Sequence, residues 1–155
     1  MCKLKAVIQR VSNAQVVVDE EIKGKIDKGF MILLGVKAFD DETDAQLLAK
    51  KIYGLRIFSD ENDKINLSLA DVSGAVLVIS QFTLFAYCKK GNRPYFRDAE
   101  KPQRANELYE YFCKCLKELG VSKLEKGVFG ADMKVTLTND GPVTIIIDTE
   151  ELKKW

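Results

Sequence analysis

The chain predicts an α+β fold, a single domain built on a curved, mostly antiparallel β-sheet that carries two main helices. Three observations predict it. Apolar runs rich in Val and Ile, either alternating with polar residues or continuous, occupy both ends of the chain and its middle. Only two segments repeat their apolar positions with helical period. No internal repeat, low-complexity stretch or linker divides the 155 residues, and one core can serve a chain of that length by burying about 70% of its unfolded surface. Residues 1–155 are therefore read as one domain.

The elements follow in order. Residues 5–11 and 14–19 alternate apolar and polar side chains and are read as strands, with Glu20 and Glu21 turning the chain into a further strand over 22–26. Residues 30–36 form a continuous apolar run, which suits a strand buried on both faces. Asp40, Asp41, Glu42 and Asp44 place acid where the free N–H groups and dipole of a helix N-terminus favour it. Leu47, Leu48, Lys51, Ile52 and Leu55 follow at helical spacing, so the first helix is predicted over about 41–53. Residues 56–58 read as a short strand and 60–63 as a turn. Residues 75–84 return to a strongly β-type apolar stretch, and 87–97 form a Lys/Arg-rich loop with Gly91 and Pro94. After Pro102, the apolar positions Ala105, Leu108, Tyr109, Phe112, Leu116 and Leu119 repeat with period 3.6 up to Gly120, giving the second helix. Three strands close the chain at 124–129, 134–138 and 143–149, separated by Gly130-Ala131-Asp132 and Asn139-Asp140-Gly141-Pro142.

Composition narrows the function. Apolar residues make up 46% and charged residues 30% of the chain, the balance of a soluble protein, and no apolar run reaches membrane-spanning length. The start of the chain has no apolar signal segment, which points to the cytoplasm. Cys2, Cys88, Cys113 and Cys115 are scattered. The one close pair lacks metal-ligand spacing, so they are read as free thiols, with neither metal nor cofactor expected. A net charge of +1 limits any nucleic-acid contact to a local patch. The chain contains no histidine, which removes the commonest general base and every Ser-His or Cys-His nucleophile pair.

Two segments carry candidate chemistry. Ser80-Gln81-Phe82-Thr83-Leu84 leaves a buried run with two hydroxyls, an amide and a ring in five residues. Its bland alternative is a strand end whose hydroxyls bond the sheet while Phe82 packs in the core. Asn139-Asp140-Gly141-Pro142-Val143-Thr144 reads as an ordinary Asp-Gly hairpin, except that Pro142 opens a strand and sits in an X-Pro bond that tolerates the cis form. In the loop, Lys89, Lys90, Arg93 and Arg97, interleaved with Tyr87, Tyr95 and Phe96, suit either a phosphate grip or a solvated surface. Lys23, Lys25, Lys28, Lys153 and Lys154 read as surface charge, and Tyr109 and Cys113 as core.

SQFTL and NDGPVT, together with the opening KAVIQRVSNAQVVVD and the segment GVFGADM, resemble the D-aminoacyl-tRNA deacylases, homodimeric proofreading enzymes, over about residues 5–149. The resemblance implies a barrel-like version of the curved sheet. It implies hydrolysis of the ester of D-aminoacyl-tRNA, and of glycyl-tRNA mischarged on tRNA(Ala), with L-esters rejected and tRNA as partner. Ser80, Gln81, Phe82 and Thr83 would line the pocket, Thr83 standing where the family has been assigned a catalytic threonine. Gly141 and Pro142 would form a Gly-cisPro element reaching into the partner subunit, with Arg10 holding it. Phe129 and Met133 would border the terminal adenosine. A non-catalytic module that binds RNA 3′ ends is the alternative. An editing enzyme for a small L-amino acid is a third reading, disfavoured by the intact motifs.

Overall fold

The computed structural model describes residues 4–154; Cys2, read above as a free thiol, lies outside the described residues. The chain opens on β1 (Lys5–Val18) and returns through β2 (Glu21–Ile26). Asp19 and Glu20 between them both take positive φ, 49° and 66°, the geometry of the tight two-residue turn that matches strand twist. β3 (Gly29–Gly35) then pairs antiparallel with the first half of β1, Ile8 opposite Ile32, while β2 covers the second half. Residues 5–11 and 14–19 are thus one strand and not two. Ser12 and Asn13 are exposed within it, and the ladder to the neighbouring strand runs on past them.

Helix α1 (Glu42–Gly54) starts at the Asp41 cap, whose side chain accepts from the Asp44 N–H while the Asp44 carboxylate accepts from the Asp41 N–H. It buries Ala45, Leu48, Ala49 and Ile52. The short pair β4 (Phe58–Ser59) and β5 (Ile65–Leu67) is turned by Asp60, whose Oδ1 accepts from the N–H groups of Asn62 and Lys64 at 2.9 and 3.0 Å. A single helical turn, α2 (Leu69–Val72), leads into β6 (Ala75–Ser80). Helix α3 (Pro102–Leu119) begins with Pro at its first position and ends at Gly120 with φ 115°, the cap geometry read from the sequence. β7 (Leu124–Lys126), β8 (Lys134–Asp148) and the short α4 (Thr149–Leu152) complete the chain. The turns α2 and α4 are too short to leave a periodic pattern.

The main sheet has the order β2-β1-β3-β6-β7, with β8 along the other edge of β1. The β1 pairings are antiparallel, whereas β3–β6 and β6–β7 are parallel, each reached through a helical crossover. The sheet curls until β2 meets β7. A Cβ added to Gly24 would stand 3.0 Å from the Lys126 carbonyl and 3.1 Å from Leu77, so the near-closed core predicted above is present. Both faces of the middle strands are covered, which is why residues 30–36 carry no polar alternation. Phe30, Ile32, Leu34, Val76 and Val78 pack toward α1 and α3, and Met31, Leu77 and Ile79 pack inside the curl with Val11, Val16 and Ile26.

Two further readings are corrected. Asn139-Asp140-Gly141-Pro142 is not a hairpin between two strands. Residues on either side pair with the same β1 in the same direction, Asn139 opposite Val11 and Thr144 opposite Gln9, so residues 140–143 bulge from one long strand. Lys153 is not simple surface charge, because it donates to the buried Asp44 carboxylate and ties α4 to α1. Burial pushes the Asp44 carboxyl up, but the hydrogen bonds from Lys153 and the Asp41 N–H outweigh it and the net direction is down. No helix among the described residues is long and apolar enough to cross a membrane.

Candidate active site

β6 does not run to Leu84. Gln81 makes the last ladder contact, its N–H donating to the Leu34 carbonyl at 2.8 Å, and the chain then coils into a 3-10 turn over Phe82–Phe85. Leu84 N–H donates to the Gln81 carbonyl at 3.3 Å and Ala86 N–H to the Thr83 carbonyl at 3.2 Å. Gly35 makes room for this coil, since a Cβ there would fall 3.0 Å from both the Gln81 carbonyl and the Phe85 ring. The turn throws Phe82 outward, 57% exposed, which rules out its alternative reading as a core residue. Its ring meets Phe96 edge to face, centroids 5.1 Å apart.

A cavity of about 670 Å³ opens beside the turn. Ser80, Gln81, Phe82, Phe129 and Met133 all line it, so five of the nine residues singled out from the sequence converge on one hollow. Thr83 is exposed on the turn beside the cavity and not among its lining residues. Its hydroxyl accepts a hydrogen bond from the Gln81 side-chain amide. An amide cannot take up the hydroxyl proton, so nothing in this contact activates Thr83 as a nucleophile. Tyr109 forms part of the wall, buried, its ring 6.0 Å from Phe129 and its hydroxyl donating to the Val78 carbonyl at 2.6 Å. Burial pushes its phenol up and keeps it a donor. Cys113, one turn further along α3, is pushed up to about 12 by burial and stays a thiol. Helical periodicity marks Tyr109 as core and cannot reveal that its core position also backs a cavity.

Arg10, Gly141 and Pro142 lie outside that cavity and form a second cluster. The Gly141–Pro142 peptide is cis, and Gly141 has φ 130°, a conformation only glycine takes easily. Residues 140–143 have no partners in the β1 register. Buried Arg10 holds their base. Its Nε donates to the Asp140 carbonyl at 3.0 Å and lies 3.8 Å from the Asp140 carboxylate, while Nη1 donates to the Ile57 carbonyl at 2.8 Å and approaches Ser59 Oγ at 3.4 Å. Asn139 spans the neck of the bulge, its side-chain amide donating to the carbonyls of Arg10 and Val143, both at 3.0 Å. Asn139, Ile57 and Ser59 are contributors the sequence reading missed. Asn139 stands inside the NDGPVT motif, whereas nothing local marks the other two.

The model of the D-Tyr-tRNA(Tyr) deacylase family matches residues 7–148. A D-aminoacyl-tRNA deacylase of Thermus aquaticus is 56% identical over 148 residues, covering 96% of this chain and 97% of that protein. The D-aminoacyl-tRNA deacylase of Koribacter versatilis (strain Ellin345) is 53% identical over 148 residues, covering 96% and 99%. Among solved structures, one named c-Myc DNA Unwinding Element Binding Protein superposes with a TM-score of 0.87 at 38% identity, over 92% of this chain and 97% of that one. Another, described as "a probable eukaryotic D-amino acid tRNA deacylase", gives 0.81 at 16% identity over 94% and 99%, a likeness of fold alone.

Proposed function

This chain belongs to the D-Tyr-tRNA(Tyr) deacylase family, enzymes that hydrolyse the ester between an amino acid and tRNA, and from that premise we propose that its cavity receives the 3′-terminal aminoacyl-adenosine of a D-aminoacyl-tRNA. The observation that carries the assignment is the convergence of Ser80, Gln81, Phe82, Phe129 and Met133 on one hollow. Phe129 and Met133 border the adenosine, and the 3-10 turn faces the ester. The first N–H groups of such a turn, those of Phe82 and Thr83, have no partner within it and are available to an oxyanion, an effect worth on the order of 3 kcal/mol per donor. The base does not come from a histidine, because the chain has none. The vicinal 2′-hydroxyl of the substrate's terminal ribose activates the attacking water, and the protein positions and polarises. Thr83 acts as a positioning group.

Selectivity comes from backbone. D- and L-forms have equal volume, so a size sieve worth about 1–3 kcal/mol per methylene cannot separate them, and fixed contacts around Cα are required. The Gly141–Pro142 bulge, held by Arg10 and Asn139, supplies those contacts to the cavity of a second subunit, where it blocks an L side chain. Glycine has no side chain to block, so glycyl-tRNA is also cleaved. The separation of bulge and cavity within one chain supports this division between subunits. The outer edge of β8 supports it too, since this strand of 15 residues pairs with β1 alone among the described residues. Incubating the protein with D-Tyr-tRNA, L-Tyr-tRNA and Gly-tRNA tests the reading. Loss of the D- and glycyl esters with the L-ester spared is the expected result. Binding of all three without turnover would instead establish an RNA 3′-end module, and cleavage of the L-ester at a comparable rate would remove the chiral filter.

A further inference from the structure

We propose that the rim of the cavity continues into a face that grips the single-stranded nucleotides preceding the terminal adenosine, through the exposed rings of Phe39 and Tyr95 and the cations Lys89, Lys90 and Arg93. The proposal rests on the deacylase reading and extends the substrate contact beyond the aminoacyl-adenosine.

Phe39 gives the first observation. It is 83% exposed, and its φ is 73°, a left-handed conformation that costs a bulky residue on the order of 1–3 kcal/mol. The strain is held by a tight turn. Lys37 N–H donates to the Asp40 carboxylate at 2.6 Å, Asp40 N–H to the Lys37 carbonyl at 3.1 Å, and Ala38 N–H to the Asp98 carbonyl at 3.0 Å. At that exposure the ring faces water and not the core. The turn is also joined to the cavity. Lys37 bridges to Ala99, Glu100 N–H donates to the Val36 carbonyl at 2.9 Å, and Val36, Ala99 and Glu100 all line the hollow.

The Lys/Arg-rich loop gives the second, independent observation. Tyr87 and Tyr95 exchange backbone hydrogen bonds of 2.7 and 3.0 Å, so the loop is a closed hairpin arm with Gly91 at φ 66° near its tip. Tyr95 is 57% exposed. The chain leaves the arm at Phe96 and Arg97, both in the cavity wall. Lys89, Lys90, Arg93 and Arg97 stand within 4.0 Å of no carboxylate among the described residues; other surface lysines share that, but only here do four cations fall within nine positions with Tyr95 and Phe96 between them. Unpaired cations interleaved with exposed rings are the chemistry of single-stranded nucleic-acid grooves, where phosphates meet the charges and bases stack on the rings. In a chain of net charge +1 this concentration marks one direction away from the pocket.

The test uses Phe39→Asn, which removes the ring but tolerates the left-handed backbone, and the triple variant K89A/K90A/R93A. Each is measured for binding of uncharged tRNA by fluorescence anisotropy, for kcat and KM on D-Tyr-tRNA, and for hydrolysis of the D-tyrosyl ester of adenosine. Phe39→Asn is expected to weaken tRNA binding about tenfold, the loss of one stacked base. The triple variant is expected to flatten the log–log salt dependence of binding by about 2, at roughly 0.7 per phosphate contact on a single strand. Both raise KM for D-Tyr-tRNA with kcat within about twofold, and both leave the adenosine ester untouched. Unchanged tRNA affinity and salt slope overturn the proposal, as does an equal loss on the adenosine ester. If the unaltered protein hydrolyses neither ester, the deacylase reading fails instead, and the anisotropy data decide the face by themselves.

Discussion

Thr83 is the hydroxyl that the family resemblance singles out, and its surroundings decide what it can do. A serine or threonine nucleophile needs a base to take its proton, and the group that reaches Thr83 Oγ1 is the Gln81 amide. Thr83→Ala should therefore keep activity within about tenfold of the unaltered protein, measured as kcat/KM on D-Tyr-tRNA. A fall of about ten-thousandfold, the scale of removing a covalent nucleophile, would falsify the positioning role. Gly35 is the less visible partner in the same site. Its missing Cβ lets the SQFTL turn lie against β3, and Gly35→Ala would push Gln81, Leu84 and Phe85 outward by a few tenths of an ångström. Misplacement on that scale should lower kcat about tenfold while the fold survives, a split that circular dichroism and single-turnover kinetics can resolve.

At the level of elements, α4 is pinned by charge. Asp44 sits at the third position of α1, where it closes the capping box and receives Lys153 from α4. Its carboxyl is fully buried and, on balance, held below the ordinary range, so folding favours the ionised form. Stabilisation of this kind is present above the unfolded carboxylate's pKa of about 3.9 and is lost as the pH falls through the lower folded value. Asp44→Asn should cost about 1–2 kcal/mol near neutral pH, from the weakened cap and the lost ion pair, discounted because Lys153 is partly exposed. It should also flatten the drop in the urea midpoint between pH 5 and 3. A variant whose midpoint falls as steeply as that of the unaltered protein would show that other carboxylates carry the acid sensitivity.

For the whole molecule, the cavity and the Gly141–Pro142 bulge are separate in one chain, and the proposed pairing of two chains would use the edge of β8 that meets no strand among the described residues. Ile146 lies on that strand 63% exposed, an apolar side chain beside an open edge. Ile146→Glu should shift the protein toward monomer in sedimentation and lower deacylation of D-Tyr-tRNA in step with the loss of dimer. A monomer that hydrolyses the D-ester at full rate and still spares the L-ester would remove the cross-subunit filter.

What was legible in the residues follows from locality. The caps and apolar stripe of α1 and α3, the turn at Asp60, the continuous burial of β3 and the two motifs depend on neighbours a few positions apart, and a sequence records those directly. The absence of histidine excluded a histidine base in the same way, since it holds whatever the fold. Tertiary structure alone decided the rest. Asp-Gly reads as a reversal until β1 is found pairing both flanks of residues 140–143. Phe82 reads as core until the 3-10 turn rotates it outward. Lys153 reads as surface until α4 brings it to Asp44, and Ile57 and Ser59 carry no mark until Arg10 reaches them. Each of these is fixed by a contact between residues far apart in the chain, and such contacts exist only once the sheet has curled and the core has closed.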